Sequence, residues 1–254
     1  MLTILGPAKT IDTSPHGVTE LHSTPQYPDR AAVLVDLLRQ HSVPQLKSLM
    51  KVSDKLATLT FERYASWRSS YPPEEGHQAI LAFSGEVFNG LKARTLGEKD
   101  LIFAQEHVRI LSGLYGVLRP LDVILPYRLE MGTKIKNPGG RDLYEFWENI
   151  IPENIAKATG LQDPPVLINL ASNEYFKSIR PRSFPHRIIT PVFRESDGDG
   201  YRNVTIYAKK ARGMMLHYII RNKIREPEYL RTFDSEGYAF NPDLSDDSDW
   251  VFTR

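Results

Sequence analysis

Apolar and polar positions alternate along the chain with two periods, one helical and one extended. Asp29–Gln40 carries Ala32, Val33, Leu37 and Leu38 at helical spacing and predicts an amphipathic helix. Ser42 and Gln45 stand at capping-box spacing around an early Pro44, so a short helix starts there and runs to about Met50. Ser53 is placed to cap another, from Asp54 to about Trp67. Gly97–His107 reads as a helix, and Lys209–Arg225 as the longest one. Short apolar runs predict strands at Leu2–Leu5, Ala79–Phe83, Val108–Ser112, Val166–Leu170 and Arg187–Phe193. Asp197-Gly198-Asp199-Gly200 signals a turn, and Arg202–Tyr207 alternates beyond it, which predicts a β-hairpin. Trp250-Val251-Phe252 is expected to close the sheet as an edge strand. Interleaved strands and helices with at least one antiparallel pair define an α/β (α+β) fold, a mixed β-sheet flanked by helices. Pro and Gly are scattered and no repeat is visible, so residues 1–254 are expected to form a single domain.

Composition narrows the function more than the fold. Hydrophobic residues make up 41% and charged residues 25% of 254 positions, which excludes a disordered or fibrous chain. The absence of cysteine excludes disulfides, thiolate zinc sites, iron–sulfur clusters and cysteine nucleophiles. No apolar run approaches the roughly 20 residues that cross a bilayer, and the first residues do not resemble a secretory signal. A cytoplasmic monomer with no membrane partner is expected. The net charge of +1 hides an asymmetry: Lys177–Arg231 holds 13 Lys/Arg against 5 Asp/Glu, and Thr232–Arg254 holds 1 against 6. A basic block of this kind attracts anions, unless the acidic tail folds over it.

Four segments carry chemistry. In Lys47–Ala57, a tight turn joins two short helices, and Leu49, Val52, Lys55 and Ala57 match places of the helix-hairpin-helix motif. That motif grips a phosphate with backbone N–H groups, and Lys47, Lys51, Ser53 and Lys55 are the candidate DNA contacts. Lys51 and Ser53 stand where the motif has glycines, and a positive φ is costly without glycine. The second segment is Tyr207–Met215. If the helix begins there, Lys209, Lys210 and Arg212 crowd its first turn against the helix dipole, an arrangement that an anion would relieve. Paired carboxylates elsewhere would relieve it equally. In the third, Asn169–Lys177, Asn173, Glu174 and Tyr175 follow a strand end, the place where α/β folds put ligands. In the fourth, Gly113 and Gly116 form a turn that could approach a ligand, and Arg128 and Glu130 alternate along an extended piece that lets both face one pocket. His186 and His217 are isolated, and the acidic group Asp243, Asp246, Asp247 and Asp249 lies in the tail, so neither a metal site nor a cofactor is expected.

Taken in order, Gly6–Asp12, Leu111–Asp122, Tyr127–Gly132, Asn169–Phe176 and Ala208–Gly213 resemble the YaaA family of bacterial peroxide stress resistance proteins. The resemblance implies a cytoplasmic single-domain α/β protein with a basic cleft and a helix-hairpin-helix element. It also implies largely sequence-independent DNA binding and a role in limiting damage from peroxide and iron. Where the family usually reads Ser-Pro-Ala-Lys-Thr, this chain has Gly6 in the serine's place, with Lys9 and Thr10 in register. The residues also support an enzyme acting on a small anionic, nucleotide-like or phosphorylated substrate. In that reading Lys9, Thr10, Arg128, Asn173, Lys209, Lys210 and Arg212 bind the anion, and Glu130, Glu174 and Tyr175 are the catalytic candidates. Geometry separates the two readings: an open groove suits DNA, and a closed pocket suits a small substrate.

Overall fold

The structure, a computed structural model, describes residues 1–14, 17–198 and 200–254. In chain order, β1 (Leu2–Leu5) and β2 (Thr10–Ile11) precede the helices α1 (Pro28–Arg39), α2 (Val43–Met50) and α3 (Asp54–Ser66). There follow β3 (His77–Gln78), α4 (Ala79–Ala82), β4 (Phe83–Ser84), α5 (Glu86–Leu91) and α6 (Glu98–His107). The middle of the chain gives β5 (Val108–Ser112), β6 (Gly116–Leu118), β7 (Val123–Ile124), α7 (Leu143–Trp147) and α8 (Ile150–Gly160). Then come β8 (Val166–Asn169), α9 (Asn173–Phe176), β9 (Arg187–Asp197), β10 (Gly200–Arg202), α10 (Thr205–Arg221), β11 (Ala239–Phe240) and β12 (Asp249–Thr253).

The main sheet runs β11-β12-β9-β8-β1-β5-β6, with β10 paired to β9. Its five inner strands, β12, β9, β8, β1 and β5, are parallel to one another. Antiparallel strands β6, β11 and β10 flank them, so the sheet is mixed. The central strands are buried at every position, as parallel strands covered on both faces must be. Their short apolar runs, Leu-Thr-Ile-Leu and Val-Leu-Ile-Asn, are therefore the residues the fold requires. The result is the expected α/β domain with a mixed sheet flanked by helices.

Four local expectations are corrected. Ala79–Phe83 is not a strand: Ala79–Ala82 forms one helical turn, and only Phe83–Ser84 is extended. A short, fully buried apolar run has no periodicity to distinguish the two conformations. Here the carbonyls of Asp122 and Pro120 accept the Ala79 and Ile80 N–H groups at 2.9 and 3.0 Å, which seats the turn. The hairpin's second strand stops at Arg202, not Tyr207, and α10 starts at Thr205, four residues earlier than expected. With no further strand beside it, the chain satisfies its own backbone, and the Ala208 N–H donates to the Val204 carbonyl at 2.9 Å. Asp199, part of the expected turn, lies outside the described residues. The helix also ends early, at Arg221, because Lys223 takes a left-handed conformation at φ 53°. Finally, Trp250-Val251-Phe252 lies inside the sheet, between β9 and β11. All three residues are buried, and Phe252 stacks on Phe193 with ring centroids 5.5 Å apart.

Candidate functional site

From β1 the chain crosses to β5 on one side, and from β8 to β9 on the other. The connections diverge at the carboxyl ends of β1 and β8, which stay paired up to the Leu170 N–H bonded to the Ile4 carbonyl at 2.9 Å, and such a switch point is where open α/β sheets bind ligands. A cavity of about 700 Å³ lies there. Its floor is Gly6–Thr10 after β1 and Leu170–Tyr175 after β8. One wall is the extended Tyr127–Glu130 segment, and the other comes from Ser84–Phe88 and from Asn203, Thr205, Ala208, Lys209 and Arg212. Nine of the ten anion-site and catalytic candidates named from the sequence therefore converge: Lys9, Thr10, Arg128, Glu130, Asn173, Glu174, Tyr175, Lys209 and Arg212. Lys210 does not line the cavity; its Nζ pairs with Glu236 at 2.6 Å.

The two carboxylates differ in how they are held. Glu130 spends both oxygens: Oε2 pairs with Lys9 Nζ at 2.7 Å and Oε1 accepts from Arg128 Nη2 at 3.3 Å. It therefore ties the β1 loop to the Tyr127–Glu130 wall. The Tyr64 hydroxyl donates to the Arg128 carbonyl, which fixes the same wall from α3. Arg128 itself is largely buried, and its Nε has no hydrogen-bond partner among the described residues. Glu174 Oε1 accepts from the Gly132 N–H at 2.7 Å, and its Oε2 has no hydrogen-bond partner among the described residues. Tyr175 is buried beside it, and burial raises its hydroxyl well above the usual phenol range, so it keeps its proton. The Gly113–Gly116 turn, expected near a ligand, has a packing role instead. A Cβ on Gly113 would stand 2.3 Å from the Leu129 carbonyl, and one on Gly116 would strike the Trp147 ring.

The helix α10 presents Lys209 and Arg212, three residues apart, to the cavity. Because α10 begins at Thr205, neither lies in its first turn, and the dipole argument for them does not hold. What sets them apart is solvation and partnership. Neither makes an ion pair or a side-chain hydrogen bond among the described residues, and burial lowers the Arg212 guanidinium below its ordinary value. The helix sits hard against α5: a Cβ on Gly90 would stand 2.1 Å from the Lys210 carbonyl, and one on Gly213 1.8 Å from the Val87 carbonyl. Those glycines let two backbones meet and fix the wall that carries Val87, Phe88, Lys209 and Arg212.

The Lys47–Ala57 hairpin is a separate surface, and none of its residues lines the cavity. Ser42 and Gln45 form the expected capping box on α2, and Ser53 Oγ accepts from the Leu56 N–H at 3.4 Å. Lys51 adopts φ 51°, the left-handed conformation that a glycine would supply. Lys51 and Lys55 are exposed, and Lys47 pairs with Asp54 at 2.8 Å. Ser84, Glu86, Asn203 and Thr205 line the cavity without having been picked out from the sequence. The first two follow a run that reads as a strand, and the last two sit in a supposed β-hairpin. Pairing of β2 with β4 sets Ser84 opposite Thr10, a non-local contact no local pattern announces. Among the described residues no group of three His, Cys, Asp or Glu is placed to hold a metal, and no helix is long and apolar enough to cross a membrane.

Fold and cavity define an α/β protein with a cation-lined crevice at the switch point of its sheet. The chain belongs to the family described as peroxide stress protein YaaA, whose sequence profile matches residues 1–244. It is 49% identical over 254 residues to a UPF0246 protein of Ralstonia nicotianae, spanning all of this chain and 99% of the relative. UPF0246 proteins of Azoarcus sp. strain BH72 and Ralstonia pickettii are each 48% identical, over 260 and 254 residues, with the same coverage.

Proposed function

We propose that this member of the peroxide stress family is an enzyme acting on a small phosphorylated substrate in the switch-point cavity. The observation that carries this reading is Arg212, a desolvated guanidinium facing the cavity beside Lys209 with no acidic partner among the described residues. A cavity of about 700 Å³ lies in the ordinary range for small-molecule clefts. Lys209 and Arg212 hold the phosphate, Glu174 Oε2 transfers the proton, and Glu130 positions Lys9 and Arg128. The test is a titration of the protein with inorganic phosphate and with ribose 5-phosphate, followed by calorimetry and thermal shift. Saturable binding supports the reading, and an unmoved melting temperature at tens of millimolar of both compounds overturns it.

A second reading is DNA binding by the α2–α3 hairpin, limiting iron-dependent damage under peroxide. It is favoured by the left-handed Lys51, which closes the turn without glycine and leaves Lys51 and Lys55 facing solvent. Phosphate contacts from Lys47, Lys51 and Lys55, with Ser53 at the turn, would be insensitive to sequence and weaken steeply with salt. Gel shifts of the wild type and of a Lys51→Glu, Lys55→Glu double variant between 50 and about 200 mM salt test it. Equal affinity of the two proteins removes it.

A further inference from the structure

The phosphate clamp accounts for one side of the cavity, and the remainder is built for something larger than a phosphate. Four neutral polar side chains, Ser84, Asn173, Asn203 and Thr205, line it and make no side-chain hydrogen bond to another described residue. Hydroxyls and amides both donate and accept, so they complement the hydroxyls of a sugar or the edge of a base, where a cation would serve only an anion. A further feature is Gly6. Its φ is not in the left-handed region, so backbone conformation does not require glycine there. A Cβ at that position would stand 3.5 Å from Cδ2 of Tyr175, in ordinary contact. Tyr175 is 7% exposed, and the small part of it that reaches the cavity lies beside Gly6 and next to Pro7, Ala8 and Leu170. An aromatic edge bordered by apolar surface, with no side chain at Gly6 to fill the space beside it, offers a planar heterocycle an edge contact.

We infer that the substrate of this cavity is a nucleoside monophosphate. Its phosphate rests on Lys209 and Arg212, its ribose on the hydroxyl and amide side chains, and its base against Tyr175 in the space left by Gly6. A phosphate or a bare sugar phosphate would leave most of about 700 Å³ to water, whereas a nucleotide's three parts match the three kinds of lining. This inference rests on the phosphate-site reading of the same cavity and adds the base.

The experiment measures affinities of the intact protein for AMP, GMP, CMP, UMP, ribose 5-phosphate, adenosine and inorganic phosphate. At least one nucleotide is expected to bind ten or more times tighter than ribose 5-phosphate, and adenosine at least ten times more weakly than AMP. Gly6→Val, which fills the space beside the Tyr175 ring, is expected to bring the preferred nucleotide down to the affinity of ribose 5-phosphate. Gly6→Ser, the smaller change, is expected to give a partial loss and keeps the test open should the valine variant not fold. Ribose 5-phosphate binding as tightly as every nucleotide overturns the base seat and leaves the phosphate site standing. No binding of any phosphorylated compound overturns both.

Discussion

Replacing Arg212 with glutamine separates a binding cation from a structural one. A guanidinium held by a buried carboxylate stabilises the fold, and removing one partner of such a pair costs roughly 3–5 kcal/mol. For a chain of this length that is a fall in melting temperature of about 6–20 °C, at about 2–4 °C per kcal/mol. Arg212 has no such partner among the described residues, and burial already lowers its pKa, so the folded protein pays to keep the charge there. Arg212→Gln should therefore leave the melting temperature unchanged or raise it by a few degrees. Binding should respond in the opposite sense. A charge-assisted hydrogen bond to phosphate contributes about 1.5–3 kcal/mol, so phosphate or ribose 5-phosphate affinity should fall roughly 10- to 100-fold. Differential scanning calorimetry beside isothermal titration reads both quantities on one preparation. A large loss of stability with undiminished phosphate affinity would refute the reasoning, because it would mean that Arg212 has an acidic partner and no ligand.

Gly213→Ala should cost several kcal/mol and lower the urea midpoint sharply, since its Cβ would lie 1.8 Å from the Val87 carbonyl, a backbone atom that cannot step aside. Asp100 links α6 to the end of α10. Burial alone raises its pKa, but Lys223 and Arg221 outweigh burial and hold it at about 2. A depressed carboxyl contributes stability that is present above its unfolded pKa near 3.8 and is lost as pH falls toward 2, here at most about 2 kcal/mol because both cations are partly exposed. Asp100→Asn should accordingly lower the melting temperature at pH 7 and flatten its acid limb between pH 4 and 2, and a variant that melts like the wild type at pH 7 contradicts this. Lys51→Gly should hold or slightly raise stability, as measured by chemical denaturation, because glycine takes φ 51° without the penalty a side chain meets. A fall of more than about 1 kcal/mol would show that the lysine side chain braces the turn.

Much of the architecture was legible because it is local. The Ser42–Gln45 box, the Ser53 cap and the mostly apolar runs of β1, β5 and β8 are each set by a few adjacent residues, and each element falls within a residue or two of where its pattern put it. The failures share a cause, which is that a tertiary partner decided between two local options. Ala79–Ala82 turns because carbonyls from Pro120 and Asp122 receive its N–H groups, and Trp250–Phe252 is interior because β11 folds over its far side. At the site, the floor was legible, since a polar cluster after a strand end is a local sign. The wall from β4 and α5 was not, because it arrives through the β2–β4 pairing and through two glycines whose role appears only when α5 meets α10.

The helix α10 shows how a fold distinguishes cations it uses from cations it presents. It carries five basic side chains, Lys209, Lys210, Arg212, His217 and Arg221. Three are absorbed by the protein: Lys210 by Glu236 of the acidic C-terminal segment, His217 by the Leu91 carbonyl, and Arg221 by Asp100. The expectation that the acidic tail neutralises the basic block thus holds for Lys210, and Arg254 brings the same glutamate to the end of β12. The tail stops there. Lys209 and Arg212 face the cavity, and none of the three acids lining it pairs with them among the described residues: Glu130 is held by Lys9 and Arg128, Glu174 accepts from the Gly132 N–H through Oε1, and Glu86 accepts from Asn89 at 3.3 Å. Selection for stability alone would place an acid opposite a desolvated guanidinium or replace it with an apolar residue. An unpaired guanidinium beside a hydroxyl-lined space, on a helix whose Lys210, His217 and Arg221 all have partners, is the feature that supports the proposed anion site.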